Sequence, residues 1–95
     1  MRVMLRARLD TKTANAAVKD GTLLKIMQSL SEQLKPEAAY FGPSEGQRAC
    51  TFVFDMSDSS QLPSIVEPLF QGLGAEIEIQ PAMNTEDVQK GLSAL

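Results

Sequence analysis

The segment Arg48–Met56, Arg-Ala-Cys-Thr-Phe-Val-Phe-Asp-Met, constrains the fold more than any other part of the chain. It reads as a strand, yet both of its faces are apolar. Cys50, Phe52, Phe54 and Met56 make one face, and Ala49, Thr51 and Val53 make the other. A strand with one face to water alternates apolar and polar residues instead. The 95 residues suffice for a single domain spanning 1–95, which buries roughly 60–70% of the surface of its unfolded form. So short a chain does not easily cover both sides of a sheet by itself. The pattern therefore predicts a partner, most simply a second copy.

The remaining elements follow from periodicity. Residues 1–10 alternate, with Val3, Leu5, Ala7 and Leu9 on one side and Met4, Arg6, Arg8 and Asp10 on the other, which predicts a first strand. Thr11 to Thr13 offer oxygens for a helix N-cap. From Ala14 to Lys35, the positions Ala16, Leu23, Ile26, Met27, Leu30 and Leu34 recur at helical spacing, and Pro36 ends the run. Asp20-Gly21 offers a turn inside it, but the stripe continues, so one helix is expected. Residues 38–42 read as a short strand, joined to the apolar strand by the turn-rich Pro43–Gln47. A second helix carries Leu62, Ile65, Val66, Leu69, Phe70 and Leu73. Pro68 predicts a kink or a tightened final turn, and Gly72 and Gly74 read as left-handed caps. Ala75–Gln80 alternates as a last strand, and a short helix at about 84–94 bears Val88 and Leu92.

This order, β-α-β-β-α-β, with right-handed crossovers and a central hairpin, defines an α+β ferredoxin-like plait. Its antiparallel sheet has strand order 4-1-3-2, with both helices on one face. The other face is open. Met4, Arg6 and Arg8 fall on it, with Glu76 and Glu78 of the last strand beside them. Thr51, Val53 and Asp55 join them if Phe52 and Phe54 take the helix side; the doubly apolar pattern also permits the inverse.

Composition excludes more than it includes. The chain has no histidine, which removes the commonest general base, the usual haem ligand and most zinc sites, so no cofactor or metal is expected. A net charge of −3 gives neither a nucleic-acid footprint nor a polybasic membrane patch. The third strand matches the RNA-recognition motif only at Arg48, Phe52 and Val53, and lacks its stacking aromatics. Cys50 is the sole cysteine and reads as a small core hydrophobe, not a nucleophile. Charges within the first eight residues do not fit a signal peptide, and no apolar run reaches membrane-spanning length, so the expected location is the cytoplasm.

Two readings of Arg6 and Arg8 compete. One makes them a pocket for a small anionic molecule. The other makes them cross-strand partners of Glu76 and Glu78, each pair worth roughly 0.2–1 kcal/mol. Candidate acid-base groups are Tyr40, Asp55, Glu67, Glu76 and Glu78, but no two show a catalytic spacing. Three blocks, Lys35–Phe41, Glu67–Phe70 and Pro81–Asp87, resemble those of a small uncharacterised bacterial group within the dimeric α/β-barrel superfamily. Muconolactone isomerase and the antibiotic-biosynthesis monooxygenases represent that superfamily. The resemblance spans nearly the whole chain and implies a homodimer formed through the open sheet faces, with a ligand site inside the barrel. No catalytic motif of the isomerases is matched, and haem-binding relatives use histidine. Arg6, Arg8, Tyr40 and Glu78 are the candidate ligand-binding residues. The expected role is binding or accessory; a cofactor-independent isomerase or oxygenase acting on a small organic acid is the alternative.

Overall fold

Strand β1 (Arg2–Arg8) sends Val3, Leu5 and Ala7 into the interior and Arg2, Met4, Arg6 and Arg8 to the opposite side, in a computed structural model that describes residues 1–95. It is followed by α1 (Thr11–Asp20), α2 (Thr22–Leu34), β2 (Ala38–Ser44) and β3 (Gln47–Asp55). A single 3₁₀ turn, Ser59–Gln61, leads into α3 (Leu62–Leu73), and β4 (Glu76–Pro81) and α4 (Thr85–Ser93) complete the chain. All pairings are antiparallel and the sheet order is β2-β3-β1-β4, the plait expected from the sequence.

The doubly apolar strand is resolved in one sense. Cys50, Phe52, Phe54 and Met56 are buried beneath the helices, while Ala49, Thr51 and Val53 lie half-buried on the open face. Register explains the preference. Leu5 opposes Phe52 and Val3 opposes Phe54, so the largest side chains of the two central strands meet on one side. Ile65, Leu69 and Leu73 of α3, with Leu30 and Leu34 of α2 and Ala14 and Ala17 of α1, close over them. The outcome is one core between sheet and helices. The other face of the sheet has no layer upon it.

The helical expectations need correction in three places. The run from Ala14 to Lys35 is two helices, because Gly21 adopts φ 82° and ends α1 in the left-handed region. The Asp20 carboxylate accepts the Thr22 amide hydrogen at 2.8 Å, which restarts the chain as α2. The cap of α1 is Asp10, whose carboxylate accepts from both the Thr13 amide and its hydroxyl. Those bonds hold the Asp10 carboxyl below the usual carboxylate range. Of the two glycines expected to cap α3, Gly74 does so in the left-handed region, at φ 56°, whereas Gly72 lies within the helix. A β-carbon at Gly72 would stand 2.7 Å from Ile26 Cδ1, so glycine there permits α2 and α3 to approach. Helix α3 runs through Pro68 to Leu73.

Replacing Phe52 with Ala should cost about 3–5 kcal/mol in urea unfolding, as for other buried aromatic truncations. A loss well below 1 kcal/mol would mean that this face of β3 is not the core.

Candidate functional site

Register arranges the open face in rows. Glu78 of β4, Arg6 of β1, Thr51 of β3 and Tyr40 of β2 stand in line across the sheet. Glu76, Arg8, Ala49 and Gly42 form the next row, and Gln80, Met4, Val53 and Ala38 the row on the other side. Met4, Val53 and Ala38 make an apolar strip on one side of the central row, and Ala49 is an apolar position on its other side.

The two central arginines have different surroundings. Arg8 Nη2 donates to Glu76 Oε2 at 2.7 Å, and Nη1 is also paired with Glu45. Glu45 reaches it because Ser44 and Gln47 are the last ladder pair, leaving Glu45-Gly46 as a two-residue loop. Both loop residues have positive φ, 52° and 80°, the geometry of the hairpin turns whose twist matches the strands. Arg6 makes neither an ion pair nor a hydrogen bond, although Glu78 is its register partner. Of the two expected cross-strand pairs, the Arg8–Glu76 pair forms and the Arg6–Glu78 pair does not.

These residues line an open concavity of about 610 Å³, with Arg6, Arg8, Glu45, Thr51, Glu76 and Glu78 supplying its polar atoms. Two cations face three carboxylates there, so the local balance is negative by one. Tyr40 shares the row of Arg6 but stands on the edge strand, 72% exposed and outside the concavity. Its distance from β1 is two strand spacings, roughly 10 Å. Arg6, Arg8 and Glu78 are therefore brought together, and Tyr40 is set at the rim. Glu45 was not among the residues read as a site. The Glu45-Gly46 dipeptide announces a turn, but nothing local in it says that the carboxylate folds back over Arg8.

At the far end of the sheet, Arg2 gathers Glu37 and Asp87. The hydrogen bond to Glu37 is the leading cause that raises the Arg2 pKa further, with Asp87 adding to it. On the helix side, a smaller apolar groove of about 280 Å³ runs between α2 and β2, lined by Leu9, Leu23, Met27, Phe41, Pro43 and Cys50. Phe41 packs edge-on against Phe52, with ring centroids 5.7 Å apart. Burial pushes the Cys50 thiol up to about 11, so near neutral pH it is an uncharged, packed side chain. No group of three or more Cys, Asp and Glu residues is arranged to hold a metal ion. No helix is long and apolar enough to cross a membrane.

Fold and site together define an α+β plait with one covered face and one open, charged face. A family described as "Domain of unknown function (DUF3303)" matches residues 1–95, and the chain belongs to that family. Among solved structures, it is similar to one titled "De novo designed protein Ferredog-Diesel", with a TM-score of 0.51 at 10% identity over 85% of each chain. Likeness at that identity speaks to the fold alone. No curated protein matches the chain.

A double-mutant cycle on Arg8 and Glu76 should give a coupling of about 0.2–1 kcal/mol, the range for exposed pairs. The same cycle on Arg6 and Glu78 should give a coupling near zero. Equal couplings in thermal or urea unfolding would contradict the distinction between the two arginines.

Proposed function

We propose that two copies pair through their open sheet faces and that the enclosed concavity binds a small organic monoanion bearing hydrogen-bond donors. The role is binding or accessory. The observation that carries this reading is Arg6, a cation without an ionic partner at the centre of an uncovered sheet. Pairing two sheets would take that charge out of water, which costs several kcal/mol unless a counter-ion accompanies it. A carboxylate can accept two parallel bonds from a guanidinium and supply that charge. The local excess of carboxylates disfavours a polyanion, while Glu45 and Glu78 can accept from a hydroxyl or amine on the same ligand.

The partner is supported by the strip of Met4, Val53 and Ala38, with Ala49 beyond the central row, positions that are apolar where a solvated face would be polar. On this reading the protein is a cytoplasmic member of the dimeric α/β-barrel superfamily, distantly similar to muconolactone isomerase and the antibiotic-biosynthesis monooxygenases. A second reading, a cofactor-independent isomerase or oxygenase, draws on Glu78. Its carboxylate has no ion-pair partner and stands in register with Arg6, so one group could hold an acid while the other moves a proton.

Native mass spectrometry of the purified protein, followed by calorimetric titration with salicylate or lactate, tests the binding reading. The expected result is retained mass or measurable binding, weakened at least tenfold by Arg6→Ala through loss of a charge-assisted hydrogen bond. No retained mass and no response to either probe, or an unchanged affinity in Arg6→Ala, would contradict it. Glu78→Gln separates the two roles, since an enzyme would keep ligand binding and lose turnover.

A further inference from the structure

Helix α4 is well made but has no seat. Asn84 Oδ1 accepts from the Asp87 amide at 2.8 Å, and Asp87 Oδ2 accepts from the Asn84 amide at 3.1 Å, a reciprocal capping box. Val88 and Leu92 lie one turn apart on a single stripe, with Met83 just before the helix, yet no residue of α4 is buried. Met83 is 69% exposed and Leu92 63%. A helix of nine residues is too short to hold its shape in water without packing. Its ties to the rest of the chain are the Arg2–Asp87 ion pair and the bond from the Ala82 amide to the Arg2 carbonyl. The molecule accordingly measures 51 × 27 × 17 Å, with a radius of gyration of 14.8 Å. A compact chain of this length would have roughly 12 Å. Helix α4 is an arm.

The apolar groove beside Phe41 has the complementary problem. It is lined by Leu9, Leu23, Met27 and Pro43, and Phe41 remains 60% exposed at its mouth. The arm leaves the sheet where Pro81, on edge strand β4, pairs with Val3. The groove lies where Phe41 and Gly42, on the opposite edge strand, pair with Cys50 and Ala49. These are diagonally opposite corners of one sheet, roughly 20 Å apart. The groove also opens on the helix side, whereas Arg2, which holds the arm, faces the open side. An arm of about 14 Å cannot fill the groove of its own chain.

A second copy removes the mismatch of corners, and leaves the arm only the edge of the partner's β2 to turn around to reach the helix side. Sheets that pack face to face do so either nearly aligned or nearly orthogonal. A two-fold axis along the other diagonal of the sheet gives the orthogonal arrangement. It exchanges the two corners, so the arm of each copy falls at the groove corner of the other. Resting on the sheet-to-sheet pairing proposed above, we infer that α4 reaches across to a second copy of this chain and seats Val88 and Leu92 in its Phe41–Met27 groove. The charges agree. Arg48 at the groove and Glu86 on the arm are each without an ion-pair partner within the chain.

The area agrees as well. The open face of four strands offers roughly 440 Å² per copy, short of the ~800 Å² per partner of a stable interface. Met83, Val88 and Leu92 expose on the order of 200 Å² of apolar surface. The groove they would cover adds somewhat less than half as much. With both, the pairing comes close to standard size, which the sheet face alone does not.

The test uses the full chain with Cys50→Ser, Phe41→Cys and Leu92→Cys, sedimented before oxidation and then run on a non-reducing gel with peptide mapping. The expected result is a dimer in which the two introduced thiols join different chains. In the otherwise unaltered chain, Leu92→Glu should weaken the dimer roughly ten- to a hundredfold. A dimer that forms no such bridge and is indifferent to Leu92→Glu would overturn the arm and leave the sheet pairing standing. A bridge within one chain would overturn the exchange of arms. A monomer of the unaltered chain at all concentrations would overturn both.

Discussion

The structure depends on a sheet that has been given only one covering layer. Val3, Leu5, Phe52 and Phe54, from the two central strands, supply the largest side chains to a single side. Three helices close over that side, and burying those four residues is worth roughly 1.5–3 kcal/mol each. Everything else is arranged around this commitment. Once the phenylalanines face the helices, the opposite parity of each strand is fixed. The open face then necessarily receives Met4, Arg6 and Arg8 from β1, and Ala49, Thr51 and Val53 from β3.

The same constraint gives the charges of that face their meaning. Arg8 is held by two carboxylates, and its electrostatics are satisfied within the chain. Arg6, one pleat away on the same strand, is not. A lone arginine on a solvated surface needs no explanation. Set in a partly apolar face that a second sheet would dehydrate, it asks for a counter-ion. The pairing of sheets and the binding of an anion are thus one proposal with two sides, linked by the cost of dehydrating an unpartnered charge.

Much of this was legible in the residues. Strict alternation in β1 and β4 fixed their faces, and the order of elements gave the topology, because few connections suit a β-α-β-β-α-β chain. What escaped was decided by single backbone conformations or by contacts distant in sequence. At Gly21 the apolar stripe continued across the break, so periodicity argued for one helix while a left-handed φ made two. Asp10 displaced the threonines as cap because its carboxylate reaches both groups of Thr13. Gly72 looked like a terminator; its place is set by Ile26, on another helix, which periodicity cannot see. The site followed the same division. Arg6, Arg8 and Glu78 come together by register, which the pattern encodes, whereas Glu45 arrives by the hand of a two-residue turn. Tyr40 lies in the right row but at its edge, a matter of strand order.

The central claim is that the open sheet face is a contact surface, and sedimentation equilibrium of the unaltered chain beside Val53→Lys addresses it most directly. Val53 sits half-buried in the apolar strip and contributes nothing to the helix-side core, so the substitution leaves the fold in place. The account requires a dimer for the unaltered chain and a marked shift to monomer for the variant, with both melting cooperatively. A monomer throughout, or a dimer whose affinity is indifferent to a lysine at this position, would contradict it.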